Sequence, residues 1–359
     1  MCGKLQALHF QLKTEMKHIQ QVDGLRAFSV LGVMLYHLGI PGFGMGWLGV
    51  SFFFVLSGFL ITRILIETKE SENFFSNFYI RRSLRIFPLY YLYILVVFIY
   101  CSCLGIQGTQ NWLYYIFYVQ NYTMAWNNFL YVPGQEFGHT WSLAVEEQFY
   151  LLWPLVMFFC NKKWIFISAI ILSCVAITSR FYLAEYTSIV SFAPLFSAMD
   201  TLLIGAIIAV ISVNQNVMKV ISCSLLAVGL FWFIAVVKFG VLIYGWHTGP
   251  EIANQSLYLS SNMLFAGVIG IIASGVFKAK FLTIAPLIYL GKISYGLYLW
   301  HPFAIQIVDS LQYRGHFLWV TGPMVDVSKL ALTVAISSIS FKYFELPFLK
   351  LKDHFTKRA

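Results

Sequence analysis

Apolar runs of about 20 residues, separated by short polar breaks, recur along the whole chain, the pattern of successive membrane-crossing helices. Ten such runs can be drawn, at approximately 25–41, 47–66, 86–105, 141–160, 164–183, 198–213, 218–237, 257–277, 288–308 and 319–344. An even count returns both termini to one side. With the N-terminus inside, Lys4, Lys13, Lys17, Lys69, Arg81, Arg82, Lys162, Lys163, Lys219, Lys278, Lys280, Lys350, Lys352, Lys357 and Arg358 fall on or beside the cytoplasmic face. The opposite face receives little more than Arg180, Lys238 and Arg314. That asymmetry follows the positive-inside rule. The pattern predicts an all-α polytopic membrane protein of about ten transmembrane helices with both termini cytoplasmic. Its parts are a cytoplasmic N-terminal segment (1–22), a transmembrane domain (23–348) and a basic cytoplasmic tail (349–359).

Composition agrees: of 359 residues, 59% are hydrophobic and 11% charged, whereas a soluble chain carries roughly 25% charged residues. The net charge of +9 reflects where the cations stand around the membrane and implies no nucleic-acid partner. Residues 1–24 hold Lys13, Glu15, Lys17, His18 and Asp23 and no apolar run before a small-residue cleavage site, so the first span reads as a retained signal anchor. The outer stretch 106–139 lacks Lys and Arg but is rich in aromatics, among them Trp112, Tyr114, Tyr115, Tyr118, Tyr122, Trp126 and Tyr131. It reads as an interfacial belt, with a sugar-stacking surface as the alternative. The six cysteines show no metal-ligand spacing and imply neither a disulfide nor a thiol nucleophile.

Polar residues inside apolar spans mark the candidate chemistry, because charge within a bilayer is costly. Arg26 and His37 lie eleven positions apart in the first span. On a helix that is about three turns, so both project from nearly one face, roughly 16 Å apart along the axis. Arg82 and Arg85, three apart, open the third span on the cytoplasmic side, where guanidinium groups suit phosphate; anchoring to lipid headgroups is the bland alternative. At the outer end of the fourth span, Trp141 and Ser142 precede Glu146 and Glu147. Glu146 stands one turn from Ser142, where a carboxylate can orient an imidazole or accept from a sugar hydroxyl. His301 precedes Pro302, which is expected to break or kink its helix, and Asp200 sits at the mouth of another span.

Together these segments resemble the acyltransferase-3 family of integral-membrane O-acyltransferases. The resemblance rests on Arg26-x10-His37, on Gly49-Val50-Ser51-Phe52-Phe53-Phe54-Val55-Leu56-Ser57-Gly58-Phe59-Leu60, and on Arg82-x-x-Arg85. It extends through Trp141-Ser142-Leu143-x-x-Glu146, Ile293-Ser294-Tyr295-Gly296-Leu297-Tyr298-Leu299-Trp300-His301 and Glu345-Leu346-Pro347, in order from about Asp23 to Phe348. Ser51 stands where a number of relatives carry Asp, and relatives with a fused soluble esterase-like domain differ from this sequence, which stops soon after its last span.

The resemblance implies a ten-helix core in a bacterial inner membrane that moves an acetyl group from cytoplasmic acetyl-CoA to a hydroxyl of a surface or lipid-linked glycan, such as lipopolysaccharide O-antigen or exopolysaccharide. Arg26, Arg82 and Arg85 are then expected to hold the donor, His37 to be the catalytic base or a transient acyl carrier, and Glu146 to orient His37 or bind the acceptor. Trp141, Ser142 and His301 are expected on the acceptor side. No metal is implied. Two other readings stand beside this one: a multi-helix transporter of a small anionic or glycan-linked substrate, which also places His and Arg in membrane spans, and a glycan polymerase or ligase. The first lacks a partner segment for Arg26-x10-His37 in the second half of the chain. The second calls for a basic outer loop, and 106–139 has no Lys or Arg.

Overall fold

A computed structural model describes residues 19–103, 112–126, 135–184, 191–238, 251–316 and 321–355. Among them there is no strand. Ten helices have 17 or more residues: α1 (Gln20–His37), α2 (Leu48–Thr68), α3 (Phe74–Cys103), α6 (Trp141–Phe159), α7 (Lys162–Ala184), α8 (Leu195–Ile211), α9 (Gln215–Val236), α10 (Glu251–Ala273), α12 (Ser294–Tyr313) and α13 (Pro323–Ser340). Shorter helices fill the connections: α4 (Trp112–Ile116), α5 (Gln120–Trp126) and α11 (Ala285–Lys292); α14 (Leu346–Phe355) follows a π-helical turn, Phe341–Glu345. Every predicted apolar run thus overlaps one of these long helices, though the ninth is shared with the short α11.

Six of these helical segments are long and apolar enough to cross a membrane: α2, α3, α7, α9, most of α10, and the continuous stretch from α13 into α14. Helix α8 is apolar but only 17 residues long. The other three, α1, α6 and α12, carry Asp23, Arg26 and His37, Glu146 and Glu147, and His301 and Asp309. Polar side chains dilute their apolar character because these helices build an interior polar site.

Helix α2 stands at the centre, in contact with α1, α6, α8 and α10. Its closest neighbour is α8, and glycines set that distance. A Cβ on Gly58 would overlap the Leu202 carbonyl, and a Cβ on Gly205 would overlap the Val55 carbonyl. Small residues let membrane helices approach until backbone meets backbone. Around this pair, α7 packs on α8, α9 on α10, and α12 on α13.

Three boundaries depart from the sequence reading. Helix α3 begins at Phe74, twelve residues before the run that starts at 86, so Arg82 and Arg85 lie within it. The ninth run, 288–308, is interrupted at Ile293, between α11 and α12, and not at the proline. Helix α12 continues through Pro302 to Tyr313, so the helix break expected at Pro302, after His301, does not occur. Within 106–139, residues 106–111 and 127–134 lie outside the described residues, and so do 1–18 and 356–359. The described part is only partly belt-like. Leu113 and Phe117 face outward, but Tyr115 and Tyr118 are buried. The Tyr118 ring stacks on Tyr90 at 4.2 Å, and Tyr90 donates its hydroxyl to the Tyr115 carbonyl at 2.9 Å.

Candidate active site

Helix α1 links two polar centres. Near its start, Arg26 enters a cavity of about 110 Å³ formed with α2, α3, α6 and α12. Arg82 and Arg85 reach the same cavity from α3, Ser142, Glu146 and Tyr150 from α6, Ser57 from α2, and Tyr295 and Tyr298 from α12. Each contribution follows from helical spacing: Ser142, Glu146 and Tyr150 are successive one-turn steps, as are Arg82 and Arg85. Glu146 sits beside the hydrogen bond between Ser57 and Tyr150. The Arg82 guanidinium lies over the Tyr150 ring, 5.1 Å from its centroid, a cation–π contact.

The three arginines have little compensation. Arg26 is 3.8 Å from the Asp23 carboxylate, a loose pair. Neither Arg82 nor Arg85 makes a hydrogen bond or ion pair among the described residues, and Arg85, which lines the cavity, is an exposed residue. Such a cluster is a site for an anion with several oxygens. Across from Arg85, Glu345 is buried in the π-helical turn, where the Ser340 hydroxyl donates to it at 3.4 Å.

The second centre lies at the far end of α1. His37 is exposed, and its Nδ1 is 2.9 Å from the Val33 carbonyl and 3.3 Å from His301 Nε2. The two rings are 4.9 Å apart. His301 is fully buried, and its Nδ1 lies 2.8 Å from the Tyr298 carbonyl. Tyr298 stands between the centres. It lines the cavity, its hydroxyl donates to the His139 carbonyl at 2.8 Å and is 2.7 Å from Ser142 Oγ, and its ring is 5.9 Å from His301.

The structure therefore gathers Arg26, Arg82, Arg85, Ser142 and Glu146 in one place and His37 with His301 in another. Glu146 lies among the arginines, while the ring partner of His37 is His301. Trp141 belongs to neither centre: its ring meets Phe54 at 5.9 Å and Phe192 at 5.5 Å, packing behind the cavity wall. Tyr150, Ser57, Tyr298 and Glu345 were not singled out individually from sequence. Two carried a signal, since Tyr150 follows Glu146 by four residues and Tyr298 precedes His301 by three. Among the described residues no group of three or more His, Cys, Asp or Glu side chains forms a metal-ligand set.

A family model described as an acyltransferase domain matches residues 19–342. The O-acetyltransferase OatA of Staphylococcus aureus (strain NCTC 8325 / PS 47) is 33% identical over 357 residues, an alignment covering 93% of this chain and 58% of that protein. A putative O-acetyltransferase of Staphylococcus aureus (strain COL) is 29% identical over 359 residues, covering 94% of this chain and 58% of the relative. The chain spans a little over half the length of these relatives. No solved structure matches it significantly.

Proposed function

Because the chain belongs to the acyltransferase-3 family, we propose that it is a membrane O-acetyltransferase, taking an acetyl group from cytoplasmic acetyl-CoA and passing it to a hydroxyl of a cell-surface glycan such as O-antigen or exopolysaccharide. The observation that carries this reading is the division of one helix: α1 lends Arg26 to an arginine cavity and, about 16 Å further along its axis, places an exposed His37 against the buried His301. A donor rich in phosphate suits the first centre and a sugar hydroxyl the second. With ten spans, both termini inside and a bacterial inner membrane as the setting, the cavity faces the cytoplasm, where acetyl-CoA is made.

The chemistry assigned to His37 is general-base catalysis. Its Nε2 takes the hydroxyl proton as the oxygen attacks the thioester carbonyl. The carbon–sulfur bond breaks, and the proton passes to the departing thiolate. A relay through acyl-His37 uses the same nitrogen as nucleophile. Glu146, beside Ser57 and Tyr150 in the cavity, is assigned to the donor end, where it stations a carboxylate among the cations. Ser142, hydrogen-bonded to Tyr298, borders the passage between donor and His37.

The test compares a deletion strain carrying the wild-type gene with one carrying His37→Ala at matched membrane levels, reading base-labile acetyl groups on the surface glycan by mass spectrometry. Acetylation restored by wild type alone supports the assignment. Equal acetylation with both removes His37 from the mechanism, and none with either removes the glycan acetyltransferase reading. An acetylated His37 trapped by rapid quench distinguishes relay from direct transfer.

A further inference from the structure

Proline at position 302 removes one backbone N–H from the middle of α12. In an unbroken helix that N–H donates to the carbonyl four residues back, here Tyr298. The carbonyl is therefore deprived of its helical donor inside the protein, where a bare acceptor is costly. The residue before the proline fills the gap: His301 Nδ1 lies 2.8 Å from the Tyr298 carbonyl and 3.2 Å from that of Leu297.

A carbonyl can only accept, so His301 Nδ1 carries the hydrogen and its Nε2 keeps a lone pair. That Nε2 is 3.3 Å from His37 Nδ1, whose other neighbour is the Val33 carbonyl at 2.9 Å. Both neighbours of His37 Nδ1 are thus acceptors, which makes Nδ1 the protonated nitrogen. His37 Nε2 is left as the bare, basic one. The opposite arrangement, with His301 donating from Nε2, points a lone pair at the Tyr298 carbonyl and another at the Val33 carbonyl. Two repulsive contacts oppose it, the one at Tyr298 buried.

We infer that His301 is a positioning residue that fixes the tautomer of His37, and that Pro302 holds His301 to this task by orphaning the Tyr298 carbonyl. What His37 does with its free nitrogen rests on the acyl-transfer reading; the tautomer does not. When Nε2 takes the hydroxyl proton, the imidazolium on His37 shares its Nδ1 hydrogen with His301 Nε2. His301 then stabilises the charged ring as a carboxylate does in hydrolytic triads, without placing an acid among the apolar side chains of α12. A sequence reading that treats Pro302 as a helix breaker misses this, because the proline acts on a hydrogen bond while the helix persists.

The test uses the full chain in lipid bilayers with nitrogen-15-labelled histidine. Nuclear magnetic resonance reads the tautomers, with His37 and His301 assigned from spectra of His37→Asn and His301→Gln. In wild type both rings carry the hydrogen on Nδ1. Pro302→Ala restores the helical N–H to the Tyr298 carbonyl and leaves His301 a mixture of tautomers. His301→Phe keeps a ring but cannot accept, so His37 becomes mixed and glycan acetylation falls roughly 100-fold. His301→Gln, whose amide oxygen accepts from Nδ1–H, regains part of both. Protonation of His37 on Nε2 in wild type overturns the inference. So do His301→Phe and Pro302→Ala variants whose tautomers and acetylation match wild type. Expected tautomers in a wild-type protein that acetylates nothing sink the acyltransferase reading and leave the pairing intact.

Discussion

Two regions of this molecule hold arginine inside the helical bundle, and they treat it in opposite ways. Arg180 on α7 is 1% exposed and nearly saturated. It forks onto both carboxylate oxygens of Asp200 at 2.6 and 2.9 Å, donates to Gln255 at 2.7 Å and to the Ser197 carbonyl at 2.8 Å, and lies 4.4 Å from the Tyr258 ring centroid. Arg26, Arg82 and Arg85 have one loose ion pair and one aromatic face among them, and they line a cavity. Burial alone therefore does not mark a functional arginine in a membrane protein; the spare donors do. Arg180 ties α7, α8 and α10 together, whereas the other three hold donors in reserve for an anion.

The largest expected effect breaks the first region. Asp200→Ala leaves Arg180 buried without its counter-charge, and stripping one partner from a buried pair costs about 3–5 kcal/mol. Thermal unfolding of the purified protein should show a large loss of stability, or the variant should fail to accumulate in membranes. Arg85→Ala should do the reverse. It removes an open cation, so the melting temperature should stay close to wild type, while binding of coenzyme A, measured by calorimetry, should weaken roughly 10- to 100-fold, as for a lost charged hydrogen bond. A variant at 85 that melts early and binds normally would erase the contrast. Arg85→Lys sharpens it further: charge is kept but the fork is lost, and binding should fall about fivefold, between wild type and Ala.

What the sequence made legible follows the same line. The ten helices could be drawn because apolar runs are local and long. The start of α3 was drawn late because Arg81, Arg82 and Arg85 look like a boundary when read linearly, yet inside the fold Arg82 and Arg85 face a cavity. Arg180 was read as one of a few outer-face cations and Asp200 as an acid at the mouth of a span, and nothing local tells that they meet between α7 and α8. His37 and His301 are 264 positions apart, and only packing pairs them. Spacing along one helix could place Arg26 and His37 at two depths; it could not reveal that Glu146 sits at the first depth and His301 at the second.

The smallest effect concerns the acid that faces the open cluster. Glu345 belongs to a conspicuous Glu345-Leu346-Pro347 string, but sequence alone gave it no task. It is buried in the π-helical turn, close enough to Arg85 to interact with it electrostatically. The neighbouring Gly296 brings α12 near: a Cβ there would lie 3.3 Å from Glu345 Oε1. If this carboxylate bonded Arg85 as Asp200 bonds Arg180, the cluster would be closed and the two regions would be alike. It does not; its hydrogen bond comes from Ser340. Glu345→Gln keeps the shape and an acceptor for that hydroxyl while removing a negative charge opposite the arginines. An anionic ligand should then bind slightly tighter, by about twofold at low ionic strength, with the gain fading as salt rises. Weaker binding instead would mean that Glu345 orients Arg85 for its ligand and that the open cluster is more tightly built than its sparse contacts suggest.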